Sequence, residues 1–496
     1  MEVFHINRFE ATHILWALSS FFLTHIVATA IYNLFFHPLR KYPGPKHAAI
    51  NGLVYWIVAA QGDIVTWVQK IHREYGDVVR IGPNRLSYTN PQAWKDIYGP
   101  RVGHRKANSK DVMFYGPDAS GERSLISLLD DSAHSKLRRV FSPAFSDKAL
   151  KAQENLISAY VDQLISNIRH EASSNGVAQL DMVRMYNCTT FDIMGDLCFG
   201  ESLGLLKNSE YSPWLKVVFS SIKAGGVSQF LLEYPTLGRF ARALMPKSLA
   251  EKAQINFRHS ADRVDKRLAR ETDKPDIWNL VLQREERLTL SQMYANSGLV
   301  MIAGSETTAT LLSGLTYYLL TNPDKLKKLV DEVRGLESED QLNLDDLPRL
   351  KYMAACFEEG LRVYPPVPIG LPREIPEGGN TILGEWLPAK TRVSVHQWST
   401  YRSPQNFKDP DSFVPERWLP GSGYDDDKKD ALNPFSLGPR NCIGKNLAYH
   451  EMRLIMAKVL WHFDLELCAT SISWTDQKCF TLWEKGPLMV KLKLLR

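Results

Sequence analysis

Apolar residues at helical spacing dominate the pattern of the chain. They recur every three to four positions, which predicts helices at 146–170, 291–321, 324–336 and 350–363. Clear stops follow at Asn322-Pro323 and at Tyr364-Pro365-Pro366, because the residue before a proline avoids the α region. Residues 77–88 instead predict two short strands around a Gly82-Pro83-Asn84 turn, one of few strand signals. The pattern therefore predicts a mainly α fold with a small β subdomain.

The N-terminal region carries one long apolar run. Residues 14–36 contain no formal charge and match the roughly twenty residues that a helix needs to cross a membrane. Basic residues follow at positions 40, 41 and 46, which favours a cytoplasmic location for the C-terminal side. A cleaved signal peptide is the alternative, but the run is longer than a typical signal-peptide core. We predict a membrane anchor and hinge over 1–40, with a transmembrane helix at about 14–36, and one large domain over 41–496.

Composition narrows the class of protein. With 44% hydrophobic residues among 496, the chain can bury a large core. The net charge of +5 comes from 60 basic and 55 acidic residues that are not gathered into one block, so nucleic acid is not an expected partner. The six cysteines are far apart and form no C-x-x-C pair, which indicates reduced thiols.

One cysteine lies in a distinctive loop. The cysteine loop (residues 435–444, FSLGPRNCIG) has the form F-x-x-G-x-R-x-C-x-G and precedes a helical stretch. A helix N-terminus there would lower the pKa of Cys442 and favour the thiolate, which can ligate a haem iron. A lone buried thiol is the usual alternative, but the surrounding pattern argues against it. A phosphate-binding loop is excluded, because Asn446 replaces the required Ser or Thr.

The other fixed positions of the cysteine loop suit the same cofactor. Gly438 and Gly444 would let the backbone turn tightly and approach a flat macrocycle. Arg440 can pair with a haem propionate, and Phe435 can shield the sulfur. The loop thus resembles the haem-binding signature of the cytochrome P-450 family.

Further motifs of that family follow in the expected order. Glu359 and Arg362 match its E-x-x-R, and residues 415–418 match its P-E-R-F/W, whose arginine (Arg417) completes a buried Glu-Arg-Arg cluster. Alone, such an i,i+3 pair is usually an exposed surface pair. Residues 32–40 are similar to fungal microsomal members of secondary metabolism, and the resemblance covers essentially the whole chain.

The resemblance also implies propionate-binding residues outside the cysteine loop. Residues 134–139 occupy the place of the family's W-x-x-x-R helix, with His134 instead of tryptophan and with Arg138 as the arginine. Histidine keeps a hydrogen-bond donor, but its charge depends on pH. Arg373 matches another propionate-binding arginine of the family.

The segment 303–308 (AGSETT) places polar groups in the middle of the long apolar helix predicted at 291–321. It resembles the family's A-G-x-[DE]-T element, in which the hydroxyl assists oxygen activation and the acid relays protons. The resemblance assigns these roles to Thr307 and Glu306. The alternative is that the hydroxyls bond back to the preceding turn while Glu306 faces water.

The resemblance implies a haem b monooxygenase of the cytochrome P-450 fold. It would insert one oxygen atom of O2 into a lipophilic substrate, by hydroxylation or epoxidation. Electrons would come from NADPH through a separate membrane-bound cytochrome P-450 reductase, since the chain has no G-x-G-x-x-G fingerprint. The reductase would dock on basic residues near the sulfur, for which Lys136, Arg139 and Lys445 are candidates.

The same resemblance predicts the location of the protein and the lining of its substrate pocket. The location would be the endoplasmic reticulum membrane, with a single span and a cytoplasmic catalytic domain. The predicted pocket lining is largely apolar and comprises parts of 104–128 and 205–240, the helix face at 299–308, and parts of 367–371 and 480–483.

Two other functions are compatible with a haem thiolate. An isomerase or dehydratase would need no external electrons and should dispense with the acid and alcohol at 306 and 307, which this chain keeps. A haem-based gas or redox sensor would normally add a signalling or DNA-binding module, and the sequence pattern indicates none. Both features favour the monooxygenase.

Overall fold

The computed structural model describes residues 8–495, apart from 101–105, 119, 174–175, 235, 237, 241–257, 259, 273 and 284–287. Residues 1–7 of the predicted anchor lie outside this described part, as do 104, 105, 119, 235 and 237 of the predicted pocket segments.

Helices dominate the described chain. The α-helices are Arg8–Ile31, Lys46–Ile50, Leu53–Ala60, Ile64–Tyr75, Gln92–Tyr98, Asp131–Phe141, Asp147–Ala172, Met182–Phe199, Leu205–Asn208, Pro213–Glu233, Ile277–Leu282, Leu290–Leu320, Pro323–Arg334, Lys351–Val363, Gln397–Tyr401 and Lys445–His462. The four predicted helices are confirmed, with ends shifted by no more than about two residues, as helix ends usually vary.

Local sequence signals set the ends of the helices that matter most for the site. The central helix (Leu290–Leu320) begins with a capping box between Thr289 and Gln292. It ends before Asn322-Pro323, where the next helix starts. The helix Asp131–Phe141 is capped by Asp130, whose carboxylate accepts the Ala133 N–H at 2.6 Å. These caps fix the positions of the helices that carry residues 134, 138, 306 and 307.

Short strands form the β subdomain. They are β1 Val78–Gly82, β2 Arg85–Tyr88, β3 Ser109–Lys110, β4 Val177–Asp181, β5 Arg373–Glu374, β6 Asn380–Ile382, β7 Glu385–Leu387, β8 Arg392–Val395, β9 Phe463–Leu467, β10 Lys478–Phe480, β11 Leu482–Glu484 and β12 Met489–Leu494. The largest sheet has the order β1-β2-β8-β5-β3, and a second sheet has the order β4-β12-β9. The hairpins β6-β7 and β10-β11 stand alone. The predicted hairpin at 77–88 is the β1-β2 pair.

The hydrophobic core is centred on the helices. The central helix is buried along most of its length and packs against Met182–Phe199, which is almost completely buried. The central helix also contacts Lys351–Val363 and the helix after the cysteine loop, Lys445–His462. A smaller second core lies at the largest sheet and includes Leu39 from the N-terminal segment.

The N-terminal helix projects apolar side chains away from the protein. Arg8–Ile31 continues into a π-helical turn at Tyr32–Phe36. The window Ser19–Phe36 is long and apolar enough to span a membrane and is 6% buried within the protein. An amphipathic surface helix would bury one face, so this exposure fits a single membrane anchor.

Candidate active site

The backbone holds the cysteine loop in a tight turn. The Cys442 N–H donates to the Phe435 carbonyl at 2.8 Å. Gly438 has a φ of 77°, and a Cβ atom there would overlap the carbonyl oxygen of Tyr98. Only glycine fits this position, because both the backbone conformation and the close approach exclude a side chain.

The end of the loop leads directly into the cysteine helix (Lys445–His462). Gly444 precedes that helix, and a Cβ atom there would make only ordinary contacts, 3.9 Å from Phe145. Protein packing therefore accounts for Gly438 but leaves Gly444 free for a role toward a cofactor. Phe435 packs beside Tyr449 with ring centroids 5.2 Å apart, so its ring position is fixed next to the loop.

The Cys442 thiol is accessible although protein surrounds it. Its side chain is exposed while the other cysteines are buried, yet desolvation by the surrounding protein raises the pKa of Cys442. A hydrogen bond from Gly444 and the charges of Arg138 and Lys445 lower the pKa but do not overcome burial. The prediction of a lowered pKa is therefore wrong for the free thiol, because desolvation dominates. A metal would still hold Cys442 as the thiolate, since metal binding displaces the proton.

Basic side chains gather beside the cysteine loop. We call Lys110, His134, Arg373 and Arg440 the cation cluster. The pKa of His134 is lowered to about 4, and the pKa of Lys110 is lowered well below its ordinary value. In both, burial is the larger cause and the neighbouring cations are the smaller one. Among the described residues, the carboxylate that pairs with the cluster is Asp131, 2.7 Å from Arg440. Arg373 and Arg440 therefore carry one more positive charge than Asp131 neutralises, while His134 is neutral at pH 7.

Two members of the cation cluster also have unused hydrogen-bond donors. Arg373 is 5% exposed, and its buried Nε has no acceptor within the described part of the chain. The His134 ring likewise has no hydrogen-bond partner among the described residues. Arg440 differs, since its guanidinium donates to Asp131 and to the carbonyls of Leu128 and Leu129. A buried, unpaired donor is costly, so the cluster is suited to an anionic ligand.

Arg138 lies beside the cysteine loop and is held by Asn441. Its Nη1 donates to the Asn441 carbonyl and its Nη2 to the Asn441 side-chain oxygen, both at 2.7 Å. This fork ties the helix Asp131–Phe141 to the cysteine loop next to Cys442. Arg138 thus braces the loop in this structure, and any contact with a propionate would be additional.

The predicted Glu-Arg-Arg cluster is confirmed as a buried unit. Arg362 donates twice to Glu359, at 2.7 and 2.9 Å, and the Arg417 Nε donates to it at 3.1 Å. The Trp418 indole N–H donates to the same carboxylate at 3.0 Å. Burial alone would raise the pKa of Glu359, but the two arginines outweigh it and the pKa is lowered. All three charged side chains are 0% exposed, which excludes an exposed surface pair.

The central helix has accessible residues in the segment 303–308, which was predicted to assist oxygen activation. Ala303 is exposed and Gly304 and Thr307 are half-buried, although most of the helix is buried. The Thr307 hydroxyl donates to the Ala303 carbonyl at 2.7 Å, as the back-bonding alternative has it. Glu306 is 3% exposed, so it does not face bulk water, and it forms an ion pair with Lys485. Thr307 is therefore partly accessible, whereas Glu306 is buried in an ion pair.

A cavity of about 310 Å³ lies among the predicted pocket segments, but no residue of the 299–308 helix face lines it. Four of the predicted segments contribute to its lining, through Phe114, Gln229, Ile369 and Phe480 among others. Its surface is mainly apolar, which suits a lipophilic ligand. The helix Leu53–Ala60 also contributes to the lining, which the sequence did not predict.

The described residues fit a haem. A backbone-fixed thiol is accessible, and beside it lie two arginines with only one carboxylate partner and a buried Arg373 donor without an acceptor among the described residues, which would match propionates. The sequence analysis missed Lys110 and Lys485, which lie outside every recognisable motif. Each reaches its place only through the fold, so no local pattern could have identified it.

Comparison with known proteins gives the same result. The family model described as Cytochrome P450 matches residues 42–492. Cytochrome P450 monooxygenase FUM2 of Gibberella moniliformis is 50% identical over 470 residues, covering 94% of this chain and 100% of the relative. Cytochrome P450 monooxygenase AMT3 of Alternaria alternata is 49% identical over 469 residues, covering 94% and 96%. Cytochrome P450 monooxygenase efuB of Hormonema carpetanum is 45% identical over 484 residues, covering 96% and 95%.

The relatives confirm the resemblance to fungal members of the family, and the family itself implies a haem whose iron is bound by a cysteine thiolate. This chain belongs to the cytochrome P450 family and is an oxidoreductase of its monooxygenase class.

Proposed function

We propose that this protein inserts one atom of dioxygen into a lipophilic substrate, by hydroxylation or epoxidation, in a fungal secondary-metabolite pathway. The observation that carries the proposal is the fixed, accessible Cys442 thiol beside the cation cluster, in which the Arg373 Nε has no protein acceptor among the described residues. The relatives named above are all called monooxygenases, which supports the reaction class.

The residues around the thiol would hold the haem. Cys442 supplies the axial thiolate, and Phe435 shields the sulfur. The propionates would accept hydrogen bonds from His134, Arg373 and Arg440. When bound, a haem with a thiolate ligand supplies the reductive cleavage of the O–O bond.

Other residues of the site complete this arrangement. Lys110 adds a hydrogen-bond donor that sequence analysis did not predict. Arg138 keeps the cysteine loop in place through Asn441. Gly438 and Gly444 keep the backbone of the cysteine loop close to the macrocycle.

The central helix would manage the protons of the reaction. Inserting one oxygen atom into a C–H bond and reducing the other to water consumes two electrons and two protons. Thr307 lies on the open face, where its hydroxyl can turn from the Ala303 carbonyl to a ligand. Glu306, the adjacent residue, can take up and release a proton as a carboxylic acid.

Electrons would come from NADPH through a separate cytochrome P450 reductase. Its flavoprotein surface would meet exposed basic residues around the cysteine loop, where Lys136, Arg139 and Lys445 are exposed. The single apolar N-terminal helix supports an anchor in the endoplasmic reticulum membrane with a cytoplasmic catalytic domain. Such an anchor would bring the protein and a membrane-bound reductase to the same surface.

A two-step spectroscopic and kinetic experiment tests the proposal. The reduced carbon monoxide complex should show the absorption of a thiolate-ligated haem, and Cys442→Ser should remove it while Cys468→Ser retains it. With reductase, NADPH consumption should yield an oxygenated product from a ligand that shifts the haem spin state. An isomerase would turn over without NADPH, and a sensor would bind the gas without turnover. Either result would refute the proposal.

A further inference from the structure

A buried lysine reaches the acid of the central helix. The Lys485 Nζ donates to the Glu306 carboxylate and to the Thr310 hydroxyl, which is 2.6 Å away. The side chains of Lys485 and Glu306 are 3% and 5% exposed. An ion pair so removed from solvent persists only when both partners are held in place, because each lone charge would be costly.

The C-terminal hairpin holds Lys485 in position. Lys485 directly follows strand β11, which pairs with β10. Trp483 anchors this hairpin to the body, since its indole N–H donates to the Pro365 carbonyl at 2.9 Å. Its ring stacks on Tyr364 at 5.3 Å with an interplanar angle of 14°. The lysine therefore meets the central helix from a rigid support.

A cavity of about 360 Å³ lies at this ion pair and is lined in part by Asn187, Tyr211, Glu306 and Lys485. Two buried oxygens at its wall, Glu306 Oε2 and Asn187 Oδ1, have no protein donor within the described part of the chain. The cavity has room for several water molecules at about 30 Å³ each, and water would satisfy both oxygens. These two unpaired oxygens in a cavity of this size thus indicate a hydrated space.

Lys485 is the cation that faces Glu306 among the described residues. Glu484 lines the same cavity. The phenols of Tyr211 and Tyr364 also interact electrostatically with Glu306, but burial raises the pKa of each, so both stay neutral. Loss of the Lys485 charge would leave the carboxylate with no compensating cation at this position.

We propose that Lys485 is a positioning residue that holds the Glu306 carboxylate at the inner end of a hydrated cavity, through which solvent protons reach the active site. This inference rests on the proposed monooxygenase function, which requires two protons per product at a buried site. Glu306 accepts a proton from cavity water, passes it toward the open face at Thr307, and returns to the carboxylate paired with Lys485. The hydrated cavity thereby supplies each proton that the carboxylate passes on.

The variant Lys485→Met tests the proposal in the full-length, haem-loaded protein. A carboxylate buried without its cation takes up a proton. The infrared spectrum at neutral pH should therefore gain a carbonyl band of a protonated carboxyl group that is absent in Lys485→Met/Glu306→Gln. Haem content and the spin-state shift with ligand should be retained, while product per NADPH falls about 10- to 100-fold, within the range of a lost acid/base contribution.

Two matched variants separate positioning from folding. Lys485→Arg keeps a cation and should restore product per NADPH and remove the new infrared band. Lys491→Met removes an exposed lysine of strand β12 that pairs with Glu466 on the adjacent strand β9, and it should behave as the wild type. A wild-type product yield in Lys485→Met, or no carboxyl band, would overturn the role of Lys485. Failure of the wild type itself to form product would instead refute the proposed function.

Discussion

The hydroxyl of Thr307 has two possible uses that a single substitution separates. It donates to the Ala303 carbonyl, as any helical threonine can, yet it lies on the open face of the central helix. If it guides a proton during the reaction, Thr307→Ala should keep haem and ligand binding. NADPH consumption should continue, but product per NADPH should fall about 10²-fold while hydrogen peroxide accumulates.

The neighbouring Thr308 provides the control for this measurement. It also donates to a carbonyl one turn earlier, that of Gly304 at 2.8 Å, but it is 2% exposed and faces the core. Thr308→Ala should leave product per NADPH unchanged. Equal yields in both variants would remove Thr307 from the mechanism, and loss of haem in Thr307→Ala would indicate a structural role.

We expect Arg373 to contribute to the affinity for haem. Its Nε has no protein acceptor in the described part of the chain, so a propionate would be its natural partner. A charge-assisted hydrogen bond contributes about 1.5–3 kcal/mol. Arg373→Gln should therefore speed haem transfer to apomyoglobin by about 10- to 100-fold. Arg349→Gln, which changes a 75% exposed side chain, should not alter the transfer rate. An unchanged rate in both variants would show that Arg373 does not bind a propionate.

Residues within contiguous motifs could be predicted from the sequence, whereas residues that act across the fold could not. Glu359 and Arg362 lie one helical turn apart, so their pairing is local. Lys485 meets Glu306 across 179 positions, and nothing near either residue signals the contact. The predicted lowering of the Cys442 pKa was wrong for a related reason. The desolvation that raises this pKa comes from the surrounding protein and not from the adjacent helix.

Among elements, the long helices were predictable and most strands were not. A helix such as Leu290–Leu320 repeats its apolar period many times, whereas β3 and β5 have two residues each and show no period. Those two strands nevertheless place Lys110 opposite Arg373 in register, which builds half of the cation cluster. Lys110, one of the two site residues that sequence analysis missed, is therefore placed by a strand too short to be predicted.

The Glu-Arg-Arg cluster joins elements that are distant from the haem ligand in sequence. Arg362 also donates to the carbonyls of Tyr401, Pro410 and Ser412, so it fastens the chain between the helix Lys351–Val363 and the cysteine loop. Replacing Arg362 with alanine leaves the buried Glu359 carboxylate without one of its two cations, which should lower the free energy of unfolding by about 3–5 kcal/mol. We expect this variant to lose stable haem incorporation, measured as haem per protein after purification.

An exposed ion pair of similar spacing gives the control for Arg362. Lys327 and Asp331 pair at i,i+4 with side chains 75% and 61% exposed, and such pairs contribute only a few tenths of a kcal/mol. Lys327→Ala should keep its haem. Full haem content in Arg362→Ala as well would show that the buried cluster is not needed to hold the cofactor.

At the scale of the whole molecule, the folded body begins before the predicted domain boundary at residue 40. Leu39 is completely buried in the second core, and the Asn33 amide donates to the Ile50 carbonyl at 2.8 Å. Arg80 in turn donates to the Asn33 carbonyl at 2.9 Å. The last residues of the predicted hinge are therefore part of the folded body, whereas most of the described side chains of Arg8–Ile31 are exposed.

Two truncations test this division. Deleting 1–31 should release the protein from membranes in alkaline carbonate, whereas the full chain should require detergent, because a spanning helix resists carbonate. Deleting 1–40 should do the same but also lower the unfolding free energy by about 1.5–3 kcal/mol, the contribution of burying a leucine such as Leu39. Thermal unfolding of the two soluble forms measures the difference. If the form lacking 1–31 still needs detergent, the single anchor is wrong. If both forms unfold at the same temperature, the segment 32–40 is a true hinge, and its contacts with Ile50 and Arg80 add nothing to stability.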